Sequence, residues 1–289
     1  MELMNFDQKK NQSTRHNFIT FSHYFDWLHN MATNIFEWEN LPEEIPQHYI
    51  EEVLFTRGKA LFFKDPEYGF LCLPANGSGI KNVYGEDLAF YAHGFGYSKT
   101  VTGDEGVLIW NNNTKSATAE IVMAFAGRLA TVERVTDTNM NAQKTPILIV
   151  GDEKSILTLK NIYKKYEGNE PVIFGDKNFM NNQTVTSINT MAPYVIDKLD
   201  VHKMNLWNEA LTFLGIKNAN TDKRERLITA EVDANDQNIQ SNLQIMLTAR
   251  ERAAEKINKL FGLNIKVSIR GEEDEPVHNG AAISDPAEV

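Results

Sequence analysis

The chain has 289 residues, of which 42% are hydrophobic, 24% charged and 10% aromatic, an ordinary composition long enough for one large or two modest cores. Its formal net charge of −10 argues against tight general binding of nucleic acid, which rests on neutralising phosphates with Lys and Arg. That balance does not exclude a protein past which DNA slides, where strong attraction would act as a brake.

No stretch reaches the roughly 20 apolar residues that cross a bilayer, so no membrane partner is expected. The opening MELMNFDQKKNQSTRHN has no apolar signal core, and a cytoplasm-like compartment is expected. The one cysteine, Cys72, lies in the apolar run Phe70–Leu73 and reads as a buried structural thiol.

In chain order, residues 1–15 are polar and read as a disordered arm. From Asn17 to Trp38, Phe18, Phe21, Phe25, Leu28, Ala32, Ile35 and Trp38 recur at helical steps, and Pro42 and Pro46 end that helix. Residues 47–110 change texture. Short apolar runs (Val53–Phe55, Ala60–Phe63, Phe70–Leu73, Val107–Trp110) alternate with Gly, Pro, Asn and Asp, which predicts a small antiparallel β unit. Asn111–Lys115 is a loop, and Ala117–Asn139 carries Ile121, Val122, Phe125, Leu129, Val132 and Val135 along a second long helix. Between Pro146 and Ile188 the texture is α/β, with strands at Ile147–Val150 and Pro171–Phe174 around a helix at Ser155–Tyr166. Pro193 suits the first turn of a third helix whose apolar residues run from Ile196 to Leu214 and stop at Gly215. A fourth helix carries Ile239, Leu243, Met246, Leu247, Ala253, Ile257 and Leu260 to Gly262, and Leu263–Ile269 alternates as a strand. Residues 271–289 hold six acids and no Lys or Arg, and read as a disordered acidic tail.

Chemical motifs are sparse. Gly77–Gly85 lacks the Gly-Lys-Ser/Thr ending of a phosphate loop and reads as turn chemistry. The seven histidines show no metal-ligand spacing, and Tyr91–Tyr97 reads as a turn with aromatic packing. Glu43–Glu44 and Glu51–Glu52 read as solvated faces. The polar stretch 218–235 between the third and fourth helices is longer than helix–helix joins usually are, and such loops tend to be functional or disordered. It sets Lys223, Arg224 and Arg226 against Asp222, Glu225, Glu231 and Asp233.

Six strings then point to one family. FEWENLP (36–42), NAQKTP (141–146), YEGN-x-PVIF (166–174), APYV-x-DKL (192–199), WNE-x-x-TFLGIKNAN (207–220) and EKIN-x-x-x-GLN-x-KV (255–267) resemble, in one order, the upper-collar or head–tail connector (portal) proteins of small short-tailed phages with protein-primed genomes. The resemblance is collinear from about residue 16 to 270, weak over 47–140 and absent from the acidic tail.

The resemblance implies an α+β portal fold with long stem helices, a small α/β clip and a wing containing a small β unit. It would place the N-terminal helix and wing at 16–116, stem helices at 117–146 and 191–217, the clip at 147–190, a channel loop at 218–235 and a helix and strand returning to the wing at 236–270. It implies a homo-oligomeric ring, of twelve subunits in this family, at one capsid vertex of the virion after assembly in the host cytoplasm. Double-stranded DNA would pass through the ring, without sequence preference, during packaging and ejection. The implied partners are the major capsid and scaffolding proteins, a packaging ATPase and the lower collar or tail protein.

Lys198, in the DKL string, matches a lysine that the family presents to its channel; the second such lysine, nine residues earlier, is replaced here by Asn189. The loop matches the family's flexible channel loops, with Lys223, Arg224 and Arg226 as phosphate contacts and Asn218, Asn220, Asp222, Glu225 and Asn235 as its other members. The family's basic N-terminal arm is reduced to Lys9, Lys10 and Arg15, which weighs against a packaging RNA. No catalytic residue, metal or cofactor is expected, and ATP hydrolysis would belong to a separate motor. The alternative is a monomeric tail or adaptor protein of related fold without a DNA channel.

Overall fold

The first helix outruns its apolar periodicity at one end and falls short of it at the other. In a computed structural model, which describes residues 2–143, 147–151, 172–176, 185–187, 193–218 and 229–271, α1 spans Glu2–Ala32. The stretch expected to be a disordered arm therefore continues the helix from Glu2. It contains neither Pro nor Gly and is rich in Glu, Leu, Met, Gln and Lys, which form helices readily. The helix stops at Ala32 rather than Trp38. Phe36–Glu39 is a strand instead, β1, alternating buried and exposed residues. It pairs antiparallel with β11 (Lys266–Ile269), setting Phe36 opposite Ile269 and Trp38 opposite Val267. A partner so distant in sequence lies outside any local window, and it overrides the helical spacing.

Two compact units divide the chain: residues 1–29 with 120–240, and residues 30–119 with 241–289. The second unit contains β1, α2 (Gln47–Arg57), β2 (Lys59–Asp65), β3 (Gly69–Leu73), β4 (Ala75–Gly77), β5 (Ala89–Gly94), β6 (Tyr97–Thr102), β7 (Gly106–Trp110), the later turns of a long helix ending at Phe261, and β11. Its sheets run β3-β2-β7 and β4-β5-β6, all antiparallel. Ala60 and Phe62 of β2 join a core with Ile50, Val53 and Leu54 of α2 and Ala253, Ala254 and Ile257 of the long helix. Leu61 and Phe63 point the other way, into Ala75, Phe90, Ala92 and Val101 of the second sheet. A strand covered on both faces reads as an unbroken apolar run, which is why ALFF shows no alternation.

The expected strand at Val53–Phe55 is helix. Ile50, Val53 and Leu54 lie at the three- and four-residue spacing of one helix face, and all are buried. Gly58 closes α2 in the left-handed conformation, φ 74°, donating its N–H to the Leu54 carbonyl. A Cβ there would sit 2.7 Å from the Ala117 nitrogen, so both backbone conformation and space demand glycine. Cys72 is buried as expected, and desolvation pushes its thiol pKa up to about 12.

Glu51 departs most sharply from the sequence reading. It is 2% exposed, not part of a solvated face. Its carboxylate meets Arg250, also 2% exposed, through Nε–Oε1 at 2.9 Å and Nη2–Oε2 at 2.7 Å. The Trp38 indole N–H donates to Oε1 at 2.9 Å. Arg250 spends its remaining donors on the Asn111 and Met246 carbonyls and the Asn111 side chain, and its guanidinium lies 4.1 Å from the Phe36 ring centroid. All five guanidinium N–H groups are thus engaged, the condition under which a buried charge pair is tolerated. Asn111 in turn donates to the Ser116 carbonyl and Thr118 Oγ1. One knot joins β1, α2, the loop after β7 and the long helix.

A second polar cluster predicts acid sensitivity. Lys99 Nζ at 2.9 Å, the Glu67 N–H at 2.9 Å, the Tyr97 hydroxyl at 2.8 Å and the Tyr68 N–H at 3.2 Å all donate to Asp65, and Lys99 leads in holding its pKa well below the usual carboxylate range. A depressed folded value contributes stability above the unfolded value of about 4 and loses it as pH falls further. Urea midpoints measured from pH 7 down to pH 2 should fall for the native chain below about pH 4. The decline should be shallower in Asp65→Asn; equal slopes would refute this role.

The first unit contains most of α1, α3 (Ala119–Gln143), β8 (Ile147–Gly151), β9 (Val172–Asp176), β10 (Val185–Ser187), α4 (Ile196–Leu214) and the early turns of α5 (Thr229–Phe261). Its sheet has the order β10-β8-β9, with β8 and β9 parallel and β10 antiparallel to β8. A parallel pair requires a crossover connection of a dozen or more residues; the helix expected at Ser155–Tyr166 lies in that connection, outside the described residues. β10 was not anticipated. Helices and small sheets together give the mixed α and β class expected.

Candidate nucleic-acid interface

The candidate site is built on α4 and its junction with α5. Pro193 is not in the first turn of α4: the helix begins at Ile196 with Val195 at its N-cap, and no side chain of its own caps it. Asn139 of α3 serves that end, donating to the Pro193 carbonyl at 2.9 Å and accepting from the Val195 N–H at 3.3 Å. Lys198 stands in the first turn of α4, with its backbone N–H bonded to the Val195 carbonyl and its side chain exposed.

Further along, Trp207 packs against Trp27 of α1 with ring centroids 4.4 Å apart, and Tyr24 lies 6.4 Å from it. The Tyr24 hydroxyl and Lys203 both donate to Glu133 Oε2, at 2.8 Å and 3.3 Å. Burial, then the Glu133 carboxylate, raise the Tyr24 pKa far above its ordinary value. Burial alone would raise Glu133 also, but Tyr24 and Lys203 bring it below the ordinary range. α1, α3 and α4 are therefore fastened to one another within the chain, by rings on one side and by this acid on the other.

At its far end α4 stops on Gly215, φ 75°, in the left-handed conformation, and the Ile216 N–H returns to the Leu211 carbonyl at 2.9 Å. Asn218 then folds back onto the helix, its amide donating to the Asn208 carbonyl and to Thr212 Oγ1, both at 2.8 Å. Its carbonyl oxygen accepts from Asn235 Nδ2 at 3.1 Å. The two residues that bound the expected channel loop are thus clasped.

One finding revises the sequence-derived site. The loop is shorter than 218–235, because α5 begins at Thr229 and Asn235 lies inside that helix. The early helical residues Thr229–Ala234 read as loop because they carry acids and no apolar stripe. Asn220, Asp222, Lys223, Arg224, Glu225 and Arg226 lie outside the described residues, as does Asn189. Lys198, Asn218 and Asn235 are described, and the last two are brought together. The clasp itself had no sequence signal, since Asn residues seventeen apart in a polar stretch look like loop composition.

Among the described residues no group of three His, Cys, Asp or Glu could hold a metal ion, and no helix is long and apolar enough to cross a membrane. Gly77–Gly85 is turn chemistry, with Asn82 accepting the Tyr84 and Glu86 N–H groups.

The model of the phage connector (GP10) family matches residues 5–273. The chain is also similar to a chain of the portal and tail of native bacteriophage P68, at 15% identity and a TM-score of 0.48, over 90% of this chain and 89% of that one. A chain of the virion of a native gene transfer agent particle is similar at 9% identity and a TM-score of 0.44, over 87% of this chain and 80% of that one.

Proposed function

The chain belongs to the phage connector family, and from that premise we propose that identical copies close into a ring, twelve in number, whose bore conducts double-stranded DNA. That it is a portal, or head–tail connector, a structural component of the virion, follows from the match over residues 5–273, the observation that carries the reading. In the ring α3 and α4 are stem helices, 147–190 is the clip, and the second unit supplies the wing. Its neighbours are the capsid and tail, more finely the major capsid and scaffolding proteins, a packaging ATPase and the lower collar. It catalyses no reaction of its own.

Exposed apolar residues on the long helices support the ring. Ile121, Met123, Val135 and Met140 of α3, and Val201 and Met204 of α4, are each at least 39% exposed in the single chain. A ring repeats one heterologous pair of patches at every contact, and such side chains are suited to that seam.

Conduction needs only brief contacts with the duplex. Lys198 and the loop cations Lys223, Arg224 and Arg226 would touch phosphates, which position DNA without reading its sequence. The clasp between Asn218 and Asn235 ties the end of α4 to the second turn of α5 and so fixes the base from which the loop departs. An acidic body around sparse cations keeps each contact short-lived and screened by salt.

Light scattering on the purified protein should return about twelve times the 32.8 kDa chain mass, and negative-stain images should show a holed toroid. A mass of one chain would favour the monomeric adaptor and overturn the ring.

A further inference from the structure

The second unit carries a basic groove that the conducting role does not use. Apolar residues Val107, Leu108 and Trp110 of β7 line one side, and Lys256, Lys259 and Leu260 from the last turns of α5 line the other, around about 860 Å3. A smaller hollow of about 180 Å3 shares Leu108, Trp110, Lys115 and Lys256 and extends toward Arg252 and Asn112. Arg252, Lys256 and Lys259 fall at i, i+4 and i+7 on one helix face. None of them makes a salt bridge within 4.0 Å among the described residues, and Lys256 acts on Glu86 only at longer range, helping Lys115 to lower its pKa. Lys115 lies 4.8 Å from the Trp110 ring centroid and pairs with Glu86 at 3.1 Å. Glu86 and Asp87 are the acids lining the larger hollow, so cations outnumber anions along a chain of net charge −10.

We propose that this groove binds the chain's own acidic segment, Glu272, Glu273, Asp274 and Glu275, with Pro276 and Val277 reaching its apolar side. Charge complementarity favours that occupant: 272–289 has six acids and no Lys or Arg. The segment starts one residue beyond Gly271, within the same unit. Its eighteen residues span up to roughly 60 Å when extended, ample for contact along the last turns of α5. The groove's volume is that of a small-ligand site, which admits a short peptide stretch. Seated there, the segment withholds Arg252, Lys256 and Lys259 from DNA phosphates. Neither ring closure nor conduction is required for this contact.

The test compares full-length chains by fluorescence anisotropy with a labelled peptide of the 272–289 sequence. The wild type should bind it weakly, because its tethered copy competes at an effective concentration on the order of 1 mM. The variant Glu272→Gln/Glu273→Gln/Asp274→Asn/Glu275→Gln should bind it about tenfold more tightly, the gain expected for an intrinsic affinity near 100 μM. Adding Lys256→Glu and Lys259→Glu to that variant should abolish binding. Equal affinity of wild type and neutralised variant, or indifference to the lysine reversals, would overturn the proposal. So would a neutralised variant whose groove takes a duplex oligonucleotide and not the peptide.

Discussion

Glu51→Ala is expected to destabilise the chain by about 3–5 kcal/mol, because it leaves the Arg250 guanidinium buried without its counter-charge. The Trp38 indole N–H, 2.9 Å from the same carboxylate, loses its acceptor as well. For a unit of this size the melting temperature should fall by about 10 °C. Glu51→Ala paired with Arg250→Met removes both charges and should cost markedly less, since an apolar replacement of a buried ion pair is often nearly neutral. Urea unfolding of wild type, both single variants and the double, at one protein concentration, measures the cycle. A single-variant loss below about 1 kcal/mol would mean that the pair is reached by water.

Replacing Lys223, Arg224 and Arg226 together by Ala should leave the assembled mass unchanged while packaged DNA slips back. Each lost phosphate contact removes a salt-dependent increment of binding, so the fraction of heads holding a full-length genome should drop roughly tenfold. The wild type should lose genomes in the same direction at about 1 M salt, where screening shortens to about 3 Å. Electrophoretic sizing of encapsidated DNA reads both arms. Full genomes in the variant would refute a gripping loop.

What could be read from the sequence follows the range of the forces involved. α3, α4 and α5 were legible because each repeats apolar residues at helical spacing and α4 and α5 stop at Gly215 and Gly262. Cys72 was legible because its neighbours are apolar. The misreadings differ in cause: Trp38 obeys helical spacing but answers to Val267, far along the chain, whereas Val53 sits in a short apolar run that hides the helical spacing it shares with Ile50 and Leu54. Glu51 looked like an exposed acid because nothing within α2 shows that Arg250 will reach it. At the loop, composition located the polar stretch, but its true edge depends on where α5 begins and on an Asn218–Asn235 bond that leaves no periodic trace. Arg252, Lys256 and Lys259 share one exposed face of the fourth helix, opposite its apolar stripe.

The pairing of β1 with β11 has a consequence for biosynthesis. The second unit takes its first strand from residue 36 onward and its last from 266 to 269, with the Arg250 anchor between them. While the ribosome makes the intervening chain, roughly 10 to 40 s at ordinary elongation rates, the doubly apolar β2 lacks the helix that covers one of its faces. On that face β2 therefore has only α2 to pack against until residue 257 is made, and neither this unit nor any contact between copies that depends on it can mature before translation is nearly complete.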